Sequence, residues 1–224
     1  MITIPFAGLL FDLDGTLVNS IPSVTRSWTT WAIKKGLEPD YVLSRIHGRP
    51  AIDSISELLP NASRQEIQNE VIWLEELEAR DTTGIEVITG AQELLHQLNE
   101  FEVPWAIVTS GTIPVASARI KAGKLPMPNV LITPERISKG KPDPEPYLKG
   151  AEELDLNIEN CICFEDASAG IHSGKTAKAK VVGMFSHGEK DALIEADYIV
   201  DNWRDVSVIK NELGEFQMIL SRML

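Results

Sequence analysis

The sequence predicts an α/β fold, a parallel sheet wrapped by helices and interrupted by one helical insertion. Three observations carry that expectation: short apolar runs that suit strands buried on both faces, helical patterns between them, and one long interval without a convincing strand. The runs are FAGLLFD (residues 6–12), WAIVTS (105–110), NVLIT (129–133), CICFED (161–166), KVVGM (180–184) and YIV (198–200). GAQELLHQLNEF, DPEPYLKGAEEL and ASAGIHSGKTAKA supply helical periodicity between them. The strandless interval runs from Ile21 to Arg80 and holds VTRSWTTWAIKKG, AIDSISELL and RQEIQNEVIWLEELEAR, broken at Gly36, Pro39, HGRP and PNAS. Residues 19–86 are therefore expected to form a separate helical domain, with 1–18 and 87–224 as the α/β core and VNSIP and DTTGIEV as hinges. The tail VSVIKNELGEFQMIL reads as a hairpin or an edge strand.

Thirty-three acidic against 21 basic residues leave a formal net charge of −12. Such a surface repels nucleic-acid backbones and anionic membranes, so neither is expected as a partner. A phosphorylated ligand then needs local positive charge, which ERISKGK offers through Arg136, Lys139 and Lys141. The start MITIPFAGLLF has neither a basic region nor a cleavage site, and no apolar run approaches the ~20 residues of a membrane span, so a cytoplasmic location is expected. Cys161 and Cys163 alternate onto one face of a strand and are expected as buried free thiols. Nothing in the chain requires more than a monomer.

Ligands of open parallel sheets bind beyond the carboxyl ends of the strands, and four of those ends carry chemistry here. Asp12 and Asp14 close the first run and can face one crevice while Leu13 points back into packing. Gly15 permits a tight turn after them, although an Asx-type turn would use one of the two aspartates equally well. Thr109 and Ser110, followed by Gly111, either cradle an anion or cap the next helix. Lys141 stands between Gly140 and Pro142, where a lone lysine is ordinarily solvated. Glu165 and Asp166 end a fourth run and could equally cap the helix that follows. Together these ends present two pairs of carboxylates, two hydroxyls and a lysine, an order suited to a magnesium-bound phosphate and hard to obtain from capping alone.

DLDGT, IVTSG, KGKPDP and FEDASAG, in this order and with a helical insertion after the first, resemble the haloacid dehalogenase superfamily of phosphohydrolases. The likeness runs from Phe6 to about Val200, and GKPDPEPYLKGAEEL and FEDASAGIHSGKTA are most similar to its sugar and polyol phosphate phosphatases, including those acting on glycerol phosphate and 2-deoxyglucose 6-phosphate. The resemblance implies a Rossmann-like core with a helical cap domain. It implies that Asp12 is a nucleophile forming an aspartyl phosphate and that Asp14 is the acid and base. It also implies that Mg2+ is held by the Asp12 carboxylate, the Asp14 carbonyl and Asp166, with Glu165 nearby. Thr109, the Ser110 amide and Lys141 would grip the phosphoryl oxygens, and the cap loop IHGRP would bring Arg49 and His47 to the leaving group. Trp28, Trp31 and Trp73 are expected in the cap core rather than as sugar-stacking platforms. Dehalogenases of this superfamily lack the second aspartate, so Asp14 favours phosphoryl chemistry. β-Phosphoglucomutases share all four motifs but carry a histidine twelve residues after the nucleophile, where this chain has Val24. The expected function is thus hydrolysis of small sugar or polyol phosphate monoesters, with a phosphosugar mutase as the alternative.

Overall fold

The computed structural model describes residues 1–46, 49–186 and 190–223. The first apolar stretch makes two strands instead of one: β1 (Ile2–Phe6) and, after a break at Ala7, β2 (Gly8–Phe11). β2 lies inside the main sheet, parallel to β5 (Trp105–Val108) on one side and β7 (Cys161–Glu165) on the other. Outside them stand β6 (Val130–Ile132), β8 (Lys180–Met184) and β9 (Tyr198–Val200), giving the order β6-β5-β2-β7-β8-β9. Every one of the six core strands read from the sequence is present. Register sets Leu10 beside both Ala106 and Cys163, so the carboxyl ends of β5, β2 and β7 finish level with one another.

Alternation along the strands builds two cores. Leu9 and Phe11 of β2 face one side, where they meet Leu94 and Leu98 of α5 (Ala91–Glu100) and Ile120 of α6 (Ile113–Ala122). Leu10 faces the other side, with Tyr147 of α7 (Glu145–Glu153) and Ile171 of α8 (Ser168–Thr176). Cys161 and Cys163 lie in this second core as buried free thiols. α6 leaves little signal in the sequence, because its IPVASARIKA is rich in small residues and weak in amphipathic contrast.

Between β2 and α5 the chain leaves the sheet. β3 (Val18–Asn19) and β4 (Glu86–Val87) pair antiparallel at the point of exit and return. Between them lie α1 (Ile21–Lys35), α2 (Pro39–Leu43), α3 (Ala51–Leu58) and α4 (Arg64–Arg80), packed around a cluster of their own that includes Trp31, Val42, Ile55 and Leu74. Local signals mark the helix ends: a left-handed Gly36 closes α1, and a reciprocal Ser63–Glu66 capping box opens α4. Trp28 and Trp31 meet edge to face, 5.5 Å between ring centres, and Trp73 lies under the Lys34 ammonium, so all three serve the helical cluster. Among the described residues no helix is long and apolar enough to cross a membrane.

The tail forms the hairpin of β10 (Val206–Lys210) and β11 (Phe216–Leu220), and β1 joins it to make the antiparallel sheet β1-β11-β10. Trp203, just before that hairpin, packs on Phe11 and on Phe164 and donates its indole N–H to the Thr16 carbonyl at 2.9 Å. The C-terminal region thereby pins the loop that follows β2. Trp203→Phe leaves that buried carbonyl without its donor and is expected to lower the unfolding free energy by about 1–3 kcal/mol. Urea denaturation checks this, and a midpoint equal to the parent's would show that the loop does not depend on the bond.

Candidate active site

At the end of β2, Asp12 donates its backbone N–H to the Phe164 carbonyl at 3.0 Å, so its main chain is held as part of the sheet. Gly15 then adopts φ 84°, a left-handed conformation that reverses the chain so that the Gly15 N–H reaches the Val18 carbonyl at 2.7 Å. This turn brings Asp14 back to the same rim. At the end of β5, Thr109 is buried and its hydroxyl oxygen accepts from the Gly111 N–H at 3.0 Å, which folds the Ser110 segment over the crevice.

Lys141 comes from the loop before α7 and is 3% exposed. Its ammonium meets Asp12 Oδ1 at 2.6 Å, Glu165 Oε1 at 2.6 Å and the Val108 carbonyl at 2.9 Å, which satisfies all three of its donors. Glu165 also accepts from the Tyr147 hydroxyl at 2.6 Å. Gly170 makes room for this carboxylate, because a Cβ there would lie 1.8 Å from Glu165 Oε1. Asp166 completes a group of three carboxylates, with Asp12 and Glu165, whose ligand oxygens lie within 4.8 Å of one another.

Burial raises Asp12 to about 8, against the pull of Lys141 and with Glu165 and Asp14 adding repulsion. Asp166 is likewise raised by burial and by the neighbouring carboxylates. Lys141 is held in its charged form, since the attraction of Asp12 and Glu165 outweighs desolvation. One ammonium therefore does not balance the carboxylates crowded around it. An oxygen-only, over-negative cluster is the donor set a hard divalent cation such as magnesium prefers, and the residues present fit that ion.

A cavity of about 340 Å³ opens above this cluster, within the size range of small-ligand sites. Its floor is the strand-end group of Asp12, Asp14, Thr109, Ser110, Lys141 and Asp166; its roof comes from the insertion, through Val24, Trp28, Ile46 and Arg49. Arg49 is bonded to Glu57 at 2.8 Å, a carboxylate it shares with Arg45. His47 lies outside the described residues. The basic cluster expected of ERISKGK does not assemble. Arg136 turns away to Glu153 at 2.6 Å and Lys139 pairs with Asp143 on the surface, because each finds a nearer carboxylate; Lys141 alone of the three enters the site.

Two residues at the cavity had no motif to announce them. Arg119 of α6, 4% exposed, places Nη1 2.5 Å from Asp14 Oδ2 and Nη2 3.4 Å from Glu78 Oε2. Glu78 belongs to α4 and is buried, and desolvation raises it against the influence of Arg119. The available signals were weak: an arginine on a helix of small residues, and a glutamate in a helix full of them.

Known proteins resemble this chain over most of its length. The family described as "Haloacid dehalogenase-like hydrolase" matches residues 9–184. Hexitol phosphatase A of Escherichia coli strain K12 is 44% identical over 208 residues, covering 93% of this chain and 96% of that protein. Glycerol-1-phosphate phosphohydrolase 1 of Saccharomyces cerevisiae is 33% identical, covering 96% and 90%. Among solved structures, a hydrolase from Pseudomonas syringae superposes with a TM-score of 0.78 at 25% identity, over 88% of this chain and 93% of that one. With that match across most of its length, and with relatives of this identity and coverage, the chain belongs to the haloacid dehalogenase-like hydrolases.

Proposed function

We propose that this hydrolase is a magnesium-dependent phosphatase that cleaves small sugar or polyol phosphate monoesters through an aspartyl phosphate on Asp12. One observation carries the reading: the Lys141 ammonium lies 2.6 Å from Asp12 Oδ1, at the strand edge that also gathers Asp166, Thr109 and Asp14. Hexitol phosphatase A and glycerol-1-phosphate phosphohydrolase 1, as those proteins are named, support a polyol phosphate as substrate.

The Asp12 and Asp166 carboxylates and the Asp14 carbonyl would hold the magnesium ion, with Glu165 behind them tied to Lys141 and Tyr147. When bound, magnesium supplies the positive charge that keeps Asp12 ionised and offsets the charge of the phosphoryl oxygens. Thr109, the Ser110 N–H and Lys141 orient the phosphoryl group so that the Asp12 oxygen faces phosphorus opposite the leaving oxygen. A bond forms between Asp12 and phosphorus while the bond to the leaving oxygen breaks, and Asp14 gives that oxygen a proton. Asp14 then takes a proton from a water that attacks the phosphoryl group, which frees Asp12 and inorganic phosphate. Fixed charges around the transferring group are the main source of acceleration in such chemistry.

Residues 19–86 act as a cap. Helices α1, α3 and α4, with Ile46 and Arg49, line the cavity, exclude bulk water and set the leaving-group preference through Arg49, with His47 as a second candidate. Val24 stands in the cavity wall and carries no titratable group, which favours transfer to water over return of the phosphate to a second sugar hydroxyl.

With magnesium, the purified protein is expected to release inorganic phosphate from hexitol and glycerol phosphates; a panel of such esters yielding none would overturn the assignment. Asp12→Asn is expected to lower kcat by about 10³-fold or more with the circular dichroism spectrum unchanged. Retained turnover would remove Asp12 from the nucleophile's role.

The raised Asp12 and Asp166 have a consequence for stability. The folded chain keeps protons there that the unfolded chain releases near pH 3.8, so the metal-free protein loses stability as pH rises from about 4 through about 8. Magnesium competes with those protons, so its stabilising effect grows over the same interval. Melting temperatures in EDTA and in magnesium are expected to differ more at about pH 8 than at about pH 5, and an equal difference at both would contradict the account.

A further inference from the structure

Arg119 occupies an expensive position. A guanidinium stays charged in proteins, and burying it is unfavourable unless its donors are met. At 4% exposure it makes one hydrogen bond among the described residues, from Nη1 to Asp14 Oδ2 at 2.5 Å. Nε and Nη2 have no hydrogen-bond partner among the described residues, and the Glu78 carboxylate at 3.4 Å helps Nη2 by charge alone. A buried ion pair this incompletely satisfied contributes little net stability, which points to another reason for its presence.

Asp14 supplies the reason. Its side chain lines the cavity wall and is a quarter exposed, with Oδ2 taken by Arg119 and Oδ1 buried without a hydrogen-bond partner among the described residues. The outer torsion of an aspartate is soft and roughly two-fold, so an unrestrained carboxylate would sweep both oxygens through a wide arc. A guanidinium locked to one oxygen fixes the other. Arg119 is itself held from two parts of the chain, by the body of α6 and by the opposing charge of Glu78 on α4.

We infer that Arg119 is a positioning residue for Asp14, fixing the rotation of its carboxylate at the cavity wall so that Asp14 can deliver a proton to the leaving oxygen, with Glu78 of the insertion keeping the guanidinium in place. This rests on the reading of Asp14 as the acid and base. The effect should be selective. An alkoxide departing from a polyol phosphate needs the proton, whereas 4-nitrophenolate is stable enough to leave without it. Misplacing the Asp14 carboxylate by a fraction of an ångström therefore slows the first substrate class and spares the second.

The test compares kcat/KM for glycerol 1-phosphate and for 4-nitrophenyl phosphate in the full chain with magnesium. That constant covers the steps through leaving-group release, so hydrolysis of the aspartyl phosphate, common to both substrates, does not enter. Asp14→Asn sets the scale and is expected to lower the alkyl-to-aryl ratio by about 10²-fold or more. Arg119→Met is expected to lower that ratio by about tenfold or more while the aryl value stays within about threefold of the parent. Arg119→Lys, which keeps the charge and most of the stem, is expected to lower it by a smaller factor, and it carries the test alone if the methionine variant does not fold. Glu78→Gln should lower the ratio in the parent and change it by less than about twofold in the Arg119→Met background, since the two act through one contact. A ratio unchanged in both arginine variants, or a fall equal for the two substrates, overturns the proposal. If Asp14→Asn itself leaves the ratio unchanged, the acid and base reading of Asp14 fails, and the role of Arg119 fails with it.

Discussion

The structure turns on one buried ammonium. Lys141 joins Asp12 from β2, Glu165 from β7 and the Val108 carbonyl of β5, so three neighbouring strand ends are tied through a single nitrogen. Buried ion pairs are poor sources of stability, because desolvation cancels most of the attraction. Their value here is geometric. The level register of β5, β2 and β7 brings those ends together, and Lys141 fixes the orientation of the Asp12 carboxylate that the register leaves free. The same nitrogen cannot neutralise the whole acidic group, so burial and mutual repulsion pull Asp12 and Asp166 upward and leave an oxygen donor set that suits a divalent cation.

Support for this centre is spread widely along the chain. Glu165 keeps its place because Tyr147 donates to it and because Gly170 lets α8 come close; neither residue would touch a substrate. The turn carrying Asp14 is held by the left-handed Gly15 and by Trp203, whose ring packs edge-on and tilted against Phe11 and Phe164 in the shared core. The floor of the cavity is thus rigid, polar and charged, whereas its roof is supplied by helices with a core of their own, joined to the sheet through the short β3–β4 pair. In the proposed mechanism this division separates the chemistry, which the strand ends perform, from the choice of leaving group, which falls to the roof.

Much of this was legible in the sequence, for identifiable reasons. Strands buried on both faces must be apolar throughout, so the six core runs stood out, and carboxylates or hydroxyls at their ends were conspicuous by contrast. β1 was missed as a separate strand because the chain passes from the small antiparallel sheet to the main one with only Ala7 between them, and apolar character continues across the break. Arg136 and Lys139 looked equivalent to Lys141 in composition, yet Glu153 and Asp143 decide their fate, and those pairings belong to the folded state. Arg119, Glu78 and Tyr147 were invisible for the complementary reason. Each sits in an ordinary helical pattern, and each acquires its meaning only from a partner that the fold brings close from far along the chain.

The central claim is that this gathering of strand ends makes Asp12 the atom donor to phosphorus. Its most direct test is chemical capture of the intermediate: rapid acid quench of the magnesium-loaded enzyme during turnover of a polyol phosphate, reduction with borohydride, and peptide mass spectrometry. An acyl phosphate on Asp12 is reduced to homoserine, so the account predicts homoserine at position 12 in quenched, turning-over enzyme and aspartate there in enzyme without substrate. Conversion at a different carboxylate, or none during demonstrated turnover, would contradict it.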